Sequence, residues 1–311
     1  MTSPRHAEAT AQGRYYNHPK SGDQLISVTN ALSVGCAKPA LVPWAAKIVA
    51  EEAIEQLPIL THRLRTEDPE TVRKDLSKSV TVARDKAADL GSRIHALAEA
   101  HVLGVELPYE DGDEECEPFV EQLLKFFADF DVDFQRDVEA TELTVAYPSL
   151  GYAGTLDLLV RLPLDGHVPG SPTKRVDDPV KRGLWLIDYK SSLTRAATSV
   201  YGEYALQLTA LRRAREAWTP DEDIVAMPKG IVGTAVLNLR RRTYELIPLP
   251  SGDAEWTAFQ GCLAIAKWMH STGADVAKGE HRPITPSGRA KPKRTRKSTT
   301  PKSTPSTTKA A

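Results

Sequence analysis

The sequence GLWLIDYKSS at residues 183–192 predicts a buried β-strand, and GTLDLLV at residues 154–160 predicts a second one. Both are short runs of apolar, aromatic and β-branched residues that lie between glycines, prolines and polar clusters. Because side chains alternate between the two faces of a strand, Asp188 and Lys190 point to the same side. The pattern therefore places an acid and an amine next to each other on one face of a sheet.

If the two strands are neighbours, Asp157 joins Asp188 and Lys190 at one place on the sheet. Paired carboxylates are hard oxygen ligands that suit Mg²⁺ or Mn²⁺, and Mg²⁺ commonly takes part of its shell from substrate phosphate. A nearby lysine can steady the attacking water or the charge that develops on the phosphate. These residues suit phosphodiester hydrolysis, and a solvated Asp-x-Lys pair on a strand surface is the alternative interpretation.

The order of Gly154 and Asp157, a loop, and a buried strand ending in Asp188 and Lys190 resembles the PD-(D/E)XK nuclease superfamily. Within it, the spacing is similar to that of the RecB-like exonucleases. The resemblance implies that Asp157 and Asp188 bind a divalent metal and that Lys190 is the catalytic lysine. It also implies that the backbone carbonyl of Tyr189 completes the metal shell.

Three further residues fit the same resemblance. Relatives carry a metal-binding histidine in a Gly-x-x-x-His setting on a helix, which Gly91 and His95 match. An imidazole in an otherwise oxygen-rich site can favour Mn²⁺ over Mg²⁺. Glu142, in a strand predicted over residues 138–147, is the best match for an acidic residue close to the site. Gln207 matches the glutamine of a Gln-x-x-x-Tyr motif on the helix that follows the lysine.

Each of these residues also has a simpler interpretation. Taken alone, His95 is typical of a surface or half-buried histidine, and Glu142 could equally face solvent. Leu211 stands where the motif has tyrosine, with Tyr204 one turn earlier as the nearest substitute. Gln207 would still need a hydrogen-bond partner if its helix face is buried.

Length and composition fit one large globular domain or two small ones. The chain has 311 residues, of which 41% are hydrophobic and 26% charged. No run approaches the roughly 18 apolar residues of a membrane span, and residues 1–20 lack the apolar centre of a signal peptide. We therefore expect no membrane association and a cytoplasmic protein, located in the host cytoplasm if a bacteriophage encodes it.

The cysteines make a metal cluster or a disulfide framework unexpected. Cys36, Cys116 and Cys262 are far apart in sequence and form no CxxC pair. One branch of the RecB-like clan binds an iron–sulfur cluster through four cysteines. This chain has three, so we expect no such cluster.

The net charge of −1 hides a strong asymmetry. Residues 282–311 carry nine Lys or Arg and no acid, whereas residues 1–281 carry 31 basic and 41 acidic residues. The basic segment is rich in Pro, Ser and Thr, which predicts a disordered tail. Such a tail favours DNA through counterion release, although a solubilising role is the alternative.

The remaining pattern predicts domain bounds and elements. We expect a disordered N-terminus at residues 1–24, a nuclease domain at 25–281, and the tail. Within the domain, a helical part at 25–135 precedes a catalytic sheet core at 136–281. The predicted helices start near residues 43 and 68 and span 81–103, 118–133, 200–218 and 253–269, and a hairpin covers 231–249.

Two basic segments of the predicted domain are candidate DNA contacts. The polar insertion between the two catalytic strands, residues 163–182, contains Lys174, Arg175, Lys181 and Arg182. The predicted hairpin has three consecutive arginines at its tip, residues 240–242. In both segments the charges could instead serve solubility alone.

The order of helices and strands predicts an α/β fold in which a mixed β-sheet is flanked by helices. This agrees with the restriction-endonuclease-like fold that the resemblance implies. The expected function is a divalent-metal-dependent DNA exonuclease in phage recombination or DNA processing. A catalytically silent DNA-binding accessory protein and a restriction-type endonuclease are the alternatives. A single-strand annealing protein is a partner in functionally related phage systems.

Overall fold

The computed structural model describes residues 6–162 and 182–279, together with the backbone of residues 166–168 and 178–180. In this part of the chain, ten strands form one mixed sheet with helices on both faces, and two short strands pair separately. The prediction of a mixed α/β fold is therefore confirmed. None of the helices in these ranges is both long enough and apolar enough to cross a bilayer.

The sheet strands are short at its ends and long at its centre. In chain order they are β1 Ala7–Thr10, β2 Gly13–Asn17, β3 Gln24–Ser27, β4 Val138–Tyr147, β5 Tyr152–Leu162, β8 Gly183–Ser191, β9 Glu216–Trp218, β10 Ile224–Ala226, β11 Ile231–Leu239 and β12 Tyr244–Leu249. The separate pair is β6 Gly166–Val168 with β7 Asp178–Val180, which occupies the predicted insertion.

The helices of the described part include one that is much longer than the rest. They are α1 Val28–Gly35, α2 Leu41–Glu55, α3 Leu57–Thr66, α4 Pro69–Leu103, α5 Glu117–Asp129, α6 Phe134–Asp137, α7 Gly202–Arg212, α8 Asp253–His270 and α9 Thr272–Lys278. The sequence predicted separate helices from residue 68 and over 81–103. They are one continuous helix, α4, which ends at the left-handed Gly104 as expected.

The sheet has a gap beside its central strand, β5. One edge of β5 pairs with β4 along most of its length. The other edge pairs with β3 at Tyr152 and Ala153, and with β8 only from Leu158 onwards. In the described chain, residues 154–157 of β5 therefore have no partner strand on that edge. Gly154, Thr155 and Asp157 line the space that this gap opens between β3 and β8.

Two apolar cores hold the helices against the sheet. Leu184 and Leu186 of β8 pack in the core that includes α1, α7 and α8. Trp185, Ile187 and Tyr189 pack in the opposite core, which includes α4 and α5. This confirms the alternation predicted for β8. Each fully buried aliphatic side chain of this kind contributes roughly 1.5–3 kcal/mol, so the two faces are fixed in position.

The predicted disorder of residues 1–24 is wrong for the part that is described. Here β1 and β2 form an antiparallel hairpin that extends through β3 into the sheet. Tyr16 is 2% exposed and packs with Leu25 and Trp218, and its hydroxyl lies 2.9 Å from Thr155 Oγ1. Tyr16 thus buries enough apolar surface to hold this otherwise polar segment against the sheet. The sheet is accordingly not confined to residues 136–281.

A second difference follows α7. The sequence predicted a helix over residues 200–218, but α7 ends at Arg212, and Glu216–Trp218 forms β9. This strand pairs with β4, and Trp218 is buried in the same cluster as Tyr16. Packing against the N-terminal hairpin therefore outweighs the local helical pattern. The predicted tail, 282–311, lies outside the described residues, as do Lys174, Arg175 and Lys181 of the insertion.

Candidate metal and phosphate site

The gap in the sheet opens into a cleft of about 1130 Å³. Helix α4 borders it on one side of the sheet, and α7 reaches it from the other. The predicted site residues that line it are His95, Glu142, Asp157, Asp188, Tyr189, Lys190 and Gln207. The fold thus brings together the side chains that the sequence assigned to the metal and catalytic site, although they are up to 112 positions apart in the chain.

His95, Glu142 and Asp157 form the tightest group in the cleft. His95 Nδ1 lies 3.2 Å from Glu142 Oε1 and 3.5 Å from Asp157 Oδ1. One potential ligand atom from each residue lies within 4.8 Å of the other two. Helix α4 supplies the histidine, whereas the neighbouring strands β4 and β5 supply the acids. The group therefore depends on how α4 packs on the sheet.

Glu142 reaches the cleft through an unusual backbone conformation. Thr141 pairs with Leu158 and Leu143 with Leu156, so Glu142 stands directly opposite Asp157. Its φ is +46°, in the left-handed region that a residue with a side chain adopts at a cost of about 1–2 kcal/mol. Such strain is concentrated at functional sites because the surrounding structure has to hold it. The kink turns Glu142 towards His95.

Asp157 is tied to the strand across the gap. Its Oδ2 accepts a hydrogen bond from the backbone N–H of Tyr189 at 2.6 Å. The Tyr189 ring packs edge-on against His95, with centroids 5.6 Å apart. Tyr189 therefore orients two potential ligands. The role expected for its carbonyl, as a metal ligand, stays a prediction.

Asp188, Lys190 and Gln207 form a second group in contact with the first. Gln207 Nε2 donates to Asp188 Oδ1 at 2.6 Å, and Gln207 Oε1 accepts from Lys190 Nζ at 3.4 Å. Lys190 Nζ also forms an ion pair with Asp188 Oδ2. The amide of Gln207 thus holds the acid and the amine at the same time, which meets its need for partners. The Tyr204 ring lies below the ammonium, 5.1 Å from Nζ.

Leu211 stands where the motif has tyrosine. It is 1% exposed and belongs to the core below the sheet. A Cβ on Gly154 would lie 2.7 Å from Leu211 Cδ2 and 3.1 Å from Val28 Cγ2, so only glycine fits there. The position serves packing, and Tyr204 is the tyrosine of α7 that touches Lys190.

The site carries more acid than base. The pKa of Asp157 rises from 3.8 to about 7, mainly because the group is buried. The charge of His95 lowers this pKa, whereas the charges of Asp188 and Glu142 raise it. Burial alone would lower the pKa of His95, but Asp157 and Glu142 outweigh it and raise the pKa to about 9. A buried carboxylate that resists ionisation signals missing positive charge.

The donor set fits a divalent cation. Carboxylates of Glu142 and Asp157 with the imidazole of His95 suit Mg²⁺ or Mn²⁺, and the nitrogen ligand favours Mn²⁺. Asp188, across the gap from Asp157, would be a further oxygen ligand. A cation at this position would offset the surplus of negative charge. Of the metal ligands expected from the sequence, His95 and Asp157 belong to this group, which Glu142 completes, and metal binding stays a prediction.

Two acidic residues that line the cleft, Glu99 and Glu139, were not identified from the sequence. Glu99 lies one helical turn after His95 and lines the same cleft. Burial first, and then the charge of Glu142, raise its pKa. The spacing of four residues from His95 was the available signal, because residues four apart lie on the same helix face. Glu99 adds to the negative charge around the metal ligands.

The predicted phosphate contact at the hairpin tip is wrong for Arg240. Its side chain is 8% exposed, and its guanidinium donates to the carbonyls of Lys190, Arg195, Ala196 and Leu239. The guanidinium is used for hydrogen bonds inside the protein because the loop after β8 folds over the end of β11. The two following arginines are exposed and remain candidates.

A comparison with models of known protein families finds no match for this chain, and a comparison with curated proteins finds none either. What can be said of the function rests on the residues in the cleft.

Proposed function

We propose that this protein is a divalent-metal-dependent DNA nuclease, and specifically an exonuclease. The observation that carries the proposal is the grouping of His95, Glu142 and Asp157 beside the Lys190–Asp188 pair in an open cleft. A buried histidine–carboxylate group alone would suit many metal proteins. A lysine held next to the same acids adds the group that phosphate chemistry requires.

The metal would be held by His95, Glu142 and Asp157, with Asp188 on the adjoining strand. When bound, a divalent ion supplies Lewis acidity towards a phosphate oxygen and lowers the pKa of water in its shell. The carboxylates have to be ionised and His95 neutral for binding, so binding releases protons. The hydrogen bond from the Tyr189 N–H keeps Asp157 in a fixed orientation for this purpose.

Lys190 acts as a cation rather than as a base. Burial by itself lowers its pKa, but the charges of Asp188 and Asp157 outweigh burial and raise it. The ammonium therefore keeps its proton and donates hydrogen bonds to the attacking water or to a phosphate oxygen. Gln207 and Tyr204 limit its movement from two sides. Preorganisation of this kind reduces the rearrangement needed in the transition state.

The cleft suits a DNA strand better than a small molecule. It is open along the gap in the sheet and extends from α4 past Asp157 to Arg14 and Trp218 near the N-terminal hairpin. A phosphodiester chain carries one negative charge per nucleotide, so a metal ion and Lys190 would together neutralise the scissile phosphate. Preference for DNA ends rather than internal sites is part of the proposal on the basis of the family resemblance.

The test compares release of nucleotides from end-labelled linear DNA and from closed circular DNA, with Mg²⁺, Mn²⁺ or EDTA. Wild-type protein should degrade linear DNA only, in the presence of either metal. Lys190→Ala should reduce the rate by roughly 10²–10³-fold, because it removes a preorganised donor at the site of charge development. The matched control is Lys125→Ala, which removes an exposed lysine of α5 that pairs with Asp129.

Each contrary result has a clear meaning. DNA binding without any metal-dependent cleavage would replace the enzyme with a silent DNA-binding accessory protein. Cuts in closed circles would indicate an endonuclease of the restriction type. Equal rates for wild type and Lys190→Ala would remove Lys190 from the mechanism.

A further inference from the structure

A ten-residue loop joins the two elements that hold the Lys190 group. Residues 192–201 follow β8, which carries Asp188 and Lys190, and precede α7, which carries Gln207. Loops are ordinarily the mobile parts of a fold. This one is fixed by side chains from β11, the strand that runs parallel to β8 on its other edge.

Arg240, at the end of β11, holds the loop by its carbonyls. Its Nε donates to Arg195 O at 2.7 Å, and its Nη2 donates to Ala196 O at 3.0 Å. Its Nη1 donates to Lys190 O at 3.0 Å. Burying a guanidinium is costly unless its donors are all used. Arg240 therefore couples the backbone at Lys190 to the backbone at Arg195.

Asn238 holds the second half of the same loop. It is 1% exposed and pairs with Lys190 across the parallel strands. Its Nδ2 donates to Ala197 O at 2.6 Å and to Ser199 O at 2.9 Å. Between them, two buried polar side chains bind four carbonyls of one loop, and so fix its path from residue 195 to residue 199.

Arg195 is the residue that this arrangement presents to solvent. Its backbone N–H donates to Ser192 Oγ at 3.2 Å, and its carbonyl accepts from Arg240. Its guanidinium lies over the ring of Tyr201, 4.5 Å from the centroid. In the described chain, no acid pairs with it. An exposed arginine is thus held at its N–H, its carbonyl and its guanidinium without a charged partner.

A series of side-chain contacts connects Lys190 to Arg195 through Tyr204 and Tyr201. The Lys190 ammonium lies 5.1 Å from the Tyr204 ring, and the Tyr204 and Tyr201 rings meet edge-on at 5.4 Å. The Arg195 guanidinium covers the far end of this series. Two aromatic rings therefore connect the Lys190 ammonium, which lines the cleft, to the exposed guanidinium of Arg195.

We propose that Arg195 binds a backbone phosphate of the same DNA strand whose scissile phosphate lies at Lys190. The inference rests on the proposed function and names a substrate contact of the same site. A strand that carries a phosphate at every nucleotide can contact both cations, and a guanidinium binds phosphate oxygens in a two-pronged arrangement. Arg240 holds the backbone carbonyl of Arg195, and Tyr201 contacts its guanidinium. Little conformational entropy of Arg195 is therefore lost on binding.

The test measures DNA binding in EDTA, where no cleavage occurs. Anisotropy of fluorescein-labelled single-stranded and duplex oligonucleotides gives the dissociation constant over a range of salt concentrations. Arg195→Ala should weaken binding roughly tenfold, equally for unrelated sequences, as expected for a charged hydrogen bond to phosphate. The slope of log K against log salt should become shallower by about 0.7–0.9, which corresponds to one lost phosphate contact.

Two variants serve as controls. Arg195→Lys keeps the charge, so the salt slope should stay that of wild type while part of the affinity is lost. Lys125→Ala removes one positive charge from α5, in the opposite core layer, and should bind like wild type. Because the Arg195 side chain is exposed, these substitutions remove no core packing, and a thermal melt checks that the fold is kept.

The outcomes separate this inference from the nuclease proposal. Wild-type cleavage together with unchanged affinity and salt slope in Arg195→Ala would overturn the Arg195 site and leave the nuclease intact. A wild-type protein that never cleaves but loses affinity and slope in Arg195→Ala would keep the site and overturn the nuclease. Wild-type protein that binds neither oligonucleotide would overturn the Arg195 site.

Discussion

Helix α4 contributes Arg93 to one buried carboxylate site and His95, two positions later, to another. The pKa values of the two buried carboxylates shift in opposite directions. Arg93 Nε donates to Asp113 Oδ1 at 2.9 Å, and its Nη2 pairs with Asp113 Oδ2. The backbone N–H of Glu110 adds a third bond at 2.9 Å. These bonds, above all those from Arg93, lower the pKa of Asp113. At His95, by contrast, the pKa of Asp157 is raised.

The difference lies in the balance of charge. Asp113 has two donors from Arg93 and one backbone N–H, and the second acid that Arg93 contacts, Glu110, is exposed to solvent. Around His95, three acids, Glu142, Asp157 and Asp188, face two cations, Lys190 and the protonated His95. A fold gains no stability from gathering unpaired acids. A balanced pair therefore indicates a structural role, and a surplus of buried acid indicates a site that binds a cation.

The largest expected effect separates the two sites by substitution. Asp157→Asn should lower metal-dependent nuclease activity by about 10³-fold, because a metal contributes several kcal/mol to the transition state. The metal-free variant should melt at or above the wild-type temperature, since an acid that resists ionisation is removed. Asp113→Asn should keep activity and lose about 2 kcal/mol of unfolding free energy. Activity assays and denaturant unfolding measure both.

The same pair of variants shows how the comparison could fail. If Asp157→Asn destabilises the metal-free protein as much as Asp113→Asn does, the Asp157 cluster is a structural network and no surplus charge exists. If Asp113→Asn abolishes cleavage while its fold is kept, Arg93 and Asp113 belong to the functional site.

Dependence on pH should differ between the sites in a way that follows from the pKa shifts. The pKa of Asp157 is raised from 3.8 to about 7, so the folded state holds that proton longer and stability falls as pH rises across this window. The pKa of His95 is raised from 6.5 to about 9, so its contribution is complete below 6.5 and is lost as pH rises through 9. Both trends have the same sign.

Melting temperatures between pH 4 and pH 9 measure this effect, because the two pKa shifts fall within that range. Metal-free wild type should lose stability as pH rises, whereas saturating Mg²⁺ or Mn²⁺ should flatten the decline, because the metal binds the deprotonated groups. Asp113 has a lowered pKa, so its stabilisation is lost only in acid. A metal-free protein whose stability rises with pH over this range would contradict the assignment.

The smallest expected effect concerns the backbone at Glu142. Glu142→Gly removes a side chain at a φ of +46° and one of the crowded acids, so the metal-free protein should gain about 1 kcal/mol of unfolding free energy. Its metal affinity, measured by calorimetry, should fall. Glu139→Gly, at an exposed acid on the same strand, is the control and should lose stability. Equal losses in both variants would show that the backbone of Glu142 is unstrained.

Much of the site could be predicted because its residues follow local periodicity. The alternation of β8 separated Asp188 and Lys190 from Ile187 and Tyr189, and the structure has the same arrangement. The family resemblance, through its Gly-x-x-x-His setting, singled out His95, and the predicted helix over 81–103 placed it on α4. Catalytic activity, metal binding and DNA as the partner stay predictions.

The errors share one physical cause. The hairpin of residues 7–17, the strand at Trp218 and the buried Arg240 are all stabilised by contacts with distant parts of the chain. Tyr16 and Trp218 are more than 200 residues apart, so no local pattern could show that each buries the other. Arg240 looked like a solvent-facing tip because its acceptors are carbonyls of a loop some 45 residues away.

The sequence by itself determined the faces of the strands, the ends of the long helix and the chemical identity of the candidate ligands, since these depend on side-chain type and on periods of two or 3.6 residues. Only the tertiary structure decided that the edge of β5 opposite β4 has no partner strand between Ala153 and Leu158. It also decided that His95 and Gln207 enter this gap from opposite faces of the sheet. The gap and the distances across it depend on the packing of two cores, which no segment of the chain encodes alone.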